Sequence, residues 1–490
     1  MTRRLADLLS DRIDIPADAA NIEIGGLTAD SREAAPGMLF AALPGTRVDG
    51  AVYAAQAVEA GTVAVLAAAD AALDHLNVPI IRVKNPRRAL ALAAARFYAR
   101  QPEHVAAVTG TSGKTSVTVF TRQIWESAGF AAASLGTIGL VTSRGETRSG
   151  LTTPDPVSLH ASLADLAAGG ITHLAVEASS HGLDQRRLDG LRISAAAFTN
   201  LSRDHLDYHA SLEEYLTAKL RLFRKLLSDD GTVVVDADDP VSAEIVHIAR
   251  KRDLPVISVG HAGESLKLRS ITRMPDGVRM VVEAGGENHY AALPLIGGFQ
   301  ISNALVSAGL AMATGVSAEQ ALSALGSLQG APGRLEKIGI HPCGAPVFVD
   351  YSHKPDALAK ALQALRPHTE GRLVVVFGAG GDRDPGKRAL MGEAAFLNAD
   401  RVIVTDDNPR TEDPSEIRQA ILQAAPGAED IGDRREAIYA AVRSLGTGDV
   451  LIIAGKGHET GQLVGDQVTP FSDQDEARAA LAEEAAEDAV

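Results

Sequence analysis

The sequence predicts an α/β protein of three domains, built on mostly parallel sheets with flanking helices. Three observations predict it. Apolar strand-like runs ending in Gly, Asp or Asn recur along the chain and alternate with helical patterns, as in a parallel sheet. The length, 490 residues, allows about three domains at roughly 150 residues each. Hydrophobic residues make up 46% and charged residues 22%, ordinary globular usage that leaves little room for long disorder.

The elements follow in order. Residues 1–20 begin Met1-Thr2-Arg3-Arg4 but carry Asp7, Asp11 and Asp14 with no apolar run after them, so they do not read as a signal peptide. A helical pattern over 87–100 breaks at residues 99–103 (ARQPE), where Pro102 precedes a new strand. The amino-terminal domain is therefore 1–101. Strands at 104–110, 173–177, 195–200 and 231–236, with helices at 114–128 and 212–227, make a central domain, 102–331. Residues 330–333 (GAPG) break the pattern again. Strands at 347–350, 373–378, 401–406 and 450–455 belong to a third domain, 332–490, and the acidic Ala/Glu-rich stretch after Asp473 reads as helix. Parallel sheets place polar functional residues just past the carboxyl ends of their strands.

Composition excludes several function classes. The formal charge is −15, which argues against a broad nucleic-acid-binding face. Aromatics are 4%, too few for a base-stacking platform. Cys343 is the only cysteine, so neither an internal disulfide nor a cysteine zinc cluster can form, as fits a reducing cytoplasm. No apolar run approaches the ~20 residues that span a bilayer.

Residues 105–115 (VAAVTGTSGKT) are an apolar strand running into Gly110, Thr111, Ser112, Gly113, Lys114 and Thr115, with an amphipathic helix behind. Glycines let backbone N–H groups face a phosphate, and the helix start adds the positive end of its dipole. Lys114 can neutralise β- and γ-phosphate charge, and Thr115 can ligate Mg²⁺. The usual pattern has a glycine at 108, where this chain has Val108. The bland alternative is an ordinary glycine turn, which leaves Gly-Lys-Thr at a helix start unexplained. A second candidate, Gly378-Ala379-Gly380, fails as a dinucleotide site because Arg383 stands where the third glycine belongs.

The strand ending at Glu177 is followed by Ser179, Ser180 and His181, and the next strand leads to Arg203-Asp204-His205. Glu177 and His205 suit a hard cation such as Mg²⁺ near the phosphates. Asp204 and Asp207 read better as loop caps. Lys219 lies four residues from both Tyr215 and Phe223, on one helix face bordered by Leu216 and Leu220. The pattern leaves two states open. Lys219 snorkels to water, or it is a desolvated amine that takes up CO₂ as a carbamate able to hold a cation.

In this order, residues 110–115, Glu177, His205 and Lys219 resemble the central domain of the Mur ligases. Residues 28–50 (TADSREAAPGMLFAALPGTRVDG) resemble the family's uridine-nucleotide segment. Residues 151–154 (LTTP) and 177–187 (EASSHGLDQRR) resemble its muramoyl-peptide contacts. Residues 332–336 (PGRLE) and 350–356 (DYSHKPD) resemble its ATP contacts, and 406–410 (DDNPR) with 455–459 (GKGHE) the contacts of its diaminopimelate-adding members. Gln300 departs from the asparagine common there, while Asn303 is kept.

The resemblance implies a Rossmann-like third domain and an ATP-dependent ligase. It would add meso-2,6-diaminopimelate to UDP-N-acetylmuramoyl-L-alanyl-D-glutamate through an acyl phosphate, in cytoplasmic peptidoglycan precursor synthesis. It implies catalytic roles for Lys114, Glu177, His205 and Lys219. Lys219 would be N6-carboxylysine, holding Mg²⁺ with Thr115, Glu177 and His205. ATP would meet residues 110–115, Asn303, Arg334 and Asp350. The nucleotide dipeptide would meet Ser31, Thr46, Arg47, Val48, Thr152, Thr153, Ser179, Gln185 and Arg187. Diaminopimelate would meet Arg383, Asp407, Asn408, Pro409, Arg410, Gly455 and Glu459. The expected protein is a monomer with neither nucleic acid nor membrane insertion, and its third domain closes to keep water from the acyl phosphate. A nucleotide-hydrolysing switch would not need the 407–410 or 152–154 segments. A folylpolyglutamate synthase should lack the 28–50 segment. A lysine-adding ligase of the same family is the nearest competitor.

Overall fold

The computed structural model describes residues 2–9, 13–45, 48–147, 150–205, 208–274 and 277–488. They form two compact units. One comprises Met1–Arg269, Val282–His289 and Ser302–Ala324, and the other Ser270–Val281, Tyr290–Ile301 and Leu325–Val490.

In the first unit, strands Gly26–Thr28, Met38–Ala42, Ala64–Ala68 and Ile80–Val83 form a parallel sheet in chain order. Helix Pro86–Tyr98 begins with two local devices. The Asn85 side chain accepts from the Arg88 N–H, and Pro86 fills a first-turn position where no donor is needed. Leu90, Ala94 and Phe97 pack with Leu27, Leu39 and Ile81 of the sheet. Ala99 turns left-handed (φ 60°) and ends the helix.

The larger sheet of this unit carries the site. Its parallel strands run in the order Ala132–Gly136, His173–Glu177, His104–Thr109, Ile193–Phe198, Leu227–Asp236, Val256–Gly260. An antiparallel hairpin, Gly139–Thr142 with Gly145–Thr147, extends one edge. Ala106, Ala107, Ala175, Ala195, Ala196 and Ala197 are all buried. A parallel sheet covered on both faces has no solvent side, so its strands read as unbroken apolar runs. The register sets Glu177 beside Val108 and Phe198 beside Thr109. The carboxyl ends of three neighbouring strands thus lie together, and their loops converge there.

Two helices deliver lysines to that end. Lys114–Ser127 follows the middle strand and buries Val117, Phe120, Ile124 and Trp125. Leu212–Arg221 starts at Ser211, whose Oγ accepts from the Glu214 N–H. The sequence predicts this helix to continue to 227. It stays helical to Leu226, but Leu222–Leu226 widens into a π-helical turn. Arg252 caps this end, donating to the carbonyls of Phe223 and Leu227 at 2.6 and 2.9 Å.

The second unit holds a six-stranded sheet in the order Glu336–Ile340, Pro346–Asp350, Val450–Ala454, Leu373–Phe377, Arg401–Val404, Glu429–Asp430. Only its first pair is antiparallel. Val375, Phe377 and Ile452 face Leu358, Met391 and Ile421 on one side. The alternate residues Val374, Val376 and Ile453 face Ile438, Ala441 and Ala477 on the other. Helices therefore cover both faces, a doubly wound α/β layer. No helix among the described residues is long and apolar enough to cross a membrane.

Candidate active site

Gly110 and Gly113 take φ values of 146° and 86°. A Cβ at 110 would lie 1.9 Å from Thr199 Oγ1, and one at 113 would lie 2.4 Å from Asn303 Oδ1. Glycine alone fits both places. The neighbouring strand's loop laces this one down. Thr199 Oγ1 donates to the Ser112 carbonyl at 2.6 Å, the Thr111 N–H to the Asn200 carbonyl at 2.8 Å, and the Ser112 N–H to Asn200 Oδ1 at 3.0 Å. Val108 is a buried sheet residue, so the turn starts only at Gly110. Thr115 lies in the first helical turn, where free N–H groups and the helix dipole receive phosphate. Lys114 Nζ lies over the loop, 3.0 and 2.8 Å from the carbonyls of Gly110 and Thr111.

Lys219 is 1% exposed. Its Nζ donates to the same Gly110 carbonyl at 2.6 Å and lies 4.1 Å from the centroid of the Tyr215 ring. Tyr215, Leu220 and Phe223 are buried with it. The amine is therefore inside the protein and does not reach out to water. Burial pushes the Tyr215 phenol well up, so that ring is neutral.

Glu177 closes its strand at 1% exposure. Oε1 accepts from the Thr137 N–H at 2.8 Å and Oε2 from the Thr137 hydroxyl at 3.2 Å. Gly136 makes the room, since a Cβ there would lie 2.1 Å from Oε1. His205 is left-handed (φ 52°), with Nε2 3.5 Å from Asp204 Oδ2. Its ring centroid is 6.0 Å from that of Tyr215 on the Lys219 helix. Among the described residues no three His, Cys, Asp or Glu side chains gather around a possible metal position. The predicted set contains only two such residues, Glu177 and His205. Oxygens from Thr115 and a Lys219 carbamate would have to complete it, a donor set suited to Mg²⁺.

The expected dipeptide contacts cluster next to Glu177. Thr153 Oγ1 donates to the Glu177 carbonyl at 2.8 Å and lies 3.0 Å from Ser179 Oγ. Thr152 Oγ1 is 3.0 Å from Thr137 Oγ1. Arg187 donates to the Thr153 carbonyl and to Gln185 Oε1, both at 2.7 Å. Burial, then the nearby Arg87, pulls the Arg187 guanidinium below its usual value. An anionic ligand would relieve both effects. Ser31 follows the strand Gly26–Thr28 of the small sheet and donates to Gln56 Oε1 at 3.1 Å, and Val48 is exposed. Thr46 and Arg47 lie outside the described residues.

In the second unit the Arg334 guanidinium stacks 4.4 Å from the centroid of the Tyr351 ring. Asp350 accepts from the N–H groups of Leu335 and Ser352 at 2.7 and 2.8 Å. Gln300 reaches the Arg334 carbonyl at 3.5 Å, whereas Asn303 packs on Gly113 in the first unit. Burial and the adjacent Lys354 pull the partly buried His353 imidazole down to about 4. Its folded value is thus below its unfolded one. As pH falls from about 6.5 to about 4, the unfolded chain takes up a proton that the folded chain refuses, and stability drops by roughly 1–3 kcal/mol. Urea melts at pH 7.5 and 4.5 test this. His353→Gln should shrink the pH dependence, and an unchanged dependence excludes His353 as a source.

The predicted amino-acid contacts converge at the carboxyl ends of the central strands. Asp407 is buried, and its Oδ2 has no hydrogen-bond partner among the described residues. Gly455 opens space beside it, because a Cβ there would lie 2.6 Å from Oδ2. Asn408 Nδ2 donates to Glu459 Oε2 at 2.9 Å. Pro409 is buried, and Arg410, left-handed at φ 53°, donates from Nη1 to the Gly381 carbonyl at 2.6 Å. Arg383 is exposed on the facing loop and is not drawn into this cluster.

Sequence reasoning missed several residues that build this pocket. A Cβ at Gly378 would lie 2.2 Å from the Thr405 carbonyl oxygen, and one at Gly381 would lie 1.9 Å from that of Pro409. The Gly-rich run rejected as a nucleotide site thus lets two loops close on each other. Arg388 donates to both oxygens of Glu412 at 2.8 Å, stiffening the same pair of loops. Arg434 and Asp473 form a dry ion pair at 2.7 Å, with both side chains fully buried. Arg434 also donates to the carbonyls of Ala454 and Asp406, at 2.9 and 3.4 Å. Lys456, also fully buried, lies between Asn408 and Glu459. The one available sequence signal was a lysine flanked by two glycines.

Three family models match along the chain: "Mur ligase family, catalytic domain" at 23–98, "Mur ligase middle domain" at 108–311 and "Mur ligase, glutamate ligase domain" at 333–457. A protein of Bradyrhizobium diazoefficiens, named UDP-N-acetylmuramoyl-L-alanyl-D-glutamate–2,6-diaminopimelate ligase, is 56% identical over 98% of this chain and 99% of its own length. A protein of the same name from Mesorhizobium japonicum is 55% identical over 96% and 97%. A solved structure titled as that ligase is 32% identical, covers 99% of this chain and 100% of its own, and superposes with a TM-score of 0.73. Models covering all three segments, and relatives of equal length more than half identical, agree on one point: the chain belongs to the Mur ligase family.

Proposed function

We propose that the chain is an ATP-dependent ligase that joins meso-2,6-diaminopimelate to UDP-N-acetylmuramoyl-L-alanyl-D-glutamate, in the cytoplasmic synthesis of peptidoglycan precursors. The observation that carries the reading is the buried Lys219 amine, 2.6 Å from a carbonyl of the phosphate loop. A plain nucleotide hydrolase has no use for a dry lysine there. The names of the relatives and the resemblance in the 406–410 and 455–459 segments choose diaminopimelate.

A carboxylate is a poor acyl electrophile, and phosphorylation by ATP activates it. Phosphoryl transfer asks the protein for position and charge more than for covalent help. The 110–115 loop would cradle the phosphates, with Lys114 turning from its loop carbonyls to the phosphate oxygens. Thr115, Glu177, His205 and a carbamylated Lys219 would hold Mg²⁺, whose charge would offset that of the phosphates. Carbamylation turns one of the two cations on the Gly110 carbonyl into an anion. Arg187, with Thr153 and Ser179, would hold the dipeptide next to Glu177. On the second unit, Asp407 Oδ2 would accept from a ligand ammonium. The amine then attacks the acyl phosphate, and the tetrahedral intermediate collapses to amide and phosphate.

The test is phosphate release from ATP. Release should require both the nucleotide dipeptide and diaminopimelate, and lysine should substitute poorly. Equal ATP hydrolysis without either co-substrate would leave only the hydrolase, and a preference for lysine would move the chain to the lysine-adding ligases.

A further inference from the structure

We propose that Lys456 is a positioning residue that sets which amino acid the site accepts. The proposal rests on reading the 407–410 and 455–459 loops as the diaminopimelate site. The local backbone forces Lys456 inward. Gly455 and Gly457, on either side, have φ values of 115° and 54°. A Cβ at 455 would lie 2.6 Å from Asp407 Oδ2, and one at 457 would lie 2.7 Å from Tyr351 Cβ. Larger residues are closed out at both places, so the chain has one path here, and it aims the lysine into the interior at 0% exposure.

Nζ donates to Asn408 Oδ1 at 3.1 Å and to Glu459 Oε2 at 3.2 Å. Asn408 Oδ1 also accepts from the Leu463 N–H at 2.9 Å, and its Nδ2 donates to the same Glu459 Oε2 at 2.9 Å. Glu459 therefore has one oxygen held by two donors. Its other oxygen, Oε1, makes no hydrogen bond to the described residues, and the side chain is 33% exposed. Lys456 thus decides which Glu459 oxygen is offered outward and how much negative charge it carries.

The charge count makes this selective. Diaminopimelate carries two ammonium groups and two carboxylates, for no net charge. Lysine lacks the second carboxylate and carries a net positive charge. Asp407 and Glu459 alone would form an anionic pocket that welcomes the surplus cation. Arg410 and the buried ammonium beside Glu459 together balance the two carboxylates, whereas without Lys456 one negative charge would remain to match lysine; with it, the surplus on lysine goes uncompensated while the balanced ligand loses nothing. Lys456 acts through Glu459 and Asn408, not by touching the ligand.

The full chain with Lys456→Met and with Lys456→Gln is assayed by phosphate release, varying diaminopimelate or lysine at saturating ATP and nucleotide dipeptide. The expected result is a KM for diaminopimelate raised roughly tenfold or more, a smaller fall in kcat, and a fall of similar size in the diaminopimelate-to-lysine ratio of kcat/KM. The KM for ATP should stay within about twofold. Gln keeps a donor on a side chain one atom shorter while removing the charge, so a Gln variant with wild-type preference overturns the proposal. An unchanged KM in a folded Met variant overturns it, as do equal losses for all three substrates. Failure of both variants to fold overturns it as well, because Lys456 is then only structural. A wild type whose phosphate release ignores diaminopimelate overturns the reading of the site itself, and that is seen before any variant is made.

Discussion

Lys219→Ala should lose most of the ligase activity, about 10²–10³-fold or more in kcat, the scale for removing a preorganised group that offsets charge in the transition state. The expectation comes from placement. The amine is dry, it lies within hydrogen-bond reach of the phosphate loop, and Tyr215, Leu220 and Phe223 are buried with it. The alanine variant leaves a hole with the volume of a short acid. Formate, acetate or bicarbonate should therefore restore part of the rate, since each supplies the lost carboxylate without the tether. A thermal melt of the variant separates loss of chemistry from loss of fold. The carbamate itself is checked by ¹³C NMR of protein equilibrated with labelled CO₂. A fully active enzyme whose Lys219 remains a plain ammonium would end the assignment.

Arg410→Ala should cut kcat/KM for diaminopimelate by about one to three or more decades, the equivalent of roughly 2–5 kcal/mol for a buried charge left without its partner. Only Nη1 of this guanidinium is engaged, on the Gly381 carbonyl, and the backbone N–H is held by the Leu463 carbonyl at 3.0 Å. The edge formed by Nε and Nη2 makes no hydrogen bond to the described residues. It can grip the distal carboxylate with two parallel bonds, and lysine has no such group. Gly380 makes room for the guanidinium itself, since a Cβ there would lie 2.7 Å from Nη1. ATP and nucleotide-dipeptide affinities should be nearly unchanged. Good lysine use need not appear, because the pocket keeps an unfilled polar end. Wild-type efficiency with diaminopimelate in this variant would show a surface arginine worth about 0–1 kcal/mol.

What could be seen in advance was what is local. Strand, glycine loop and helix at 104–127 are adjacent in sequence, so their order alone exposes the phosphate loop. The alternation of apolar runs and helices likewise reveals parallel sheets. Burial is different, because it depends on what arrives from elsewhere. Tyr215 and Phe223 place Lys219 on an apolar face, yet only the packed helix shows the amine indoors. Thr137 holds both Glu177 oxygens from 40 residues away and sits in no motif. The glycines at 378–381 look like a failed nucleotide fingerprint because glycine records a close approach without saying to what. Arg434 gives no hint at all, since its partner Asp473 is 39 residues on.

That last pair changes what the final helix is for. Asp473, its first residue, is among the described residues the only carboxylate bonded to a guanidinium with no access to water. The same guanidinium pins the carbonyls of Ala454 and Asp406, one residue before Gly455 and Asp407. A chain cut back ahead of Asp473 would strand that charge in the interior, at about 3–5 kcal/mol. The arginine would have to leave, and two strand ends would lose their anchor. Trimming or exchanging this helix is therefore an operation on substrate recognition, performed from a helix packed on a face of the sheet rather than at its strand ends.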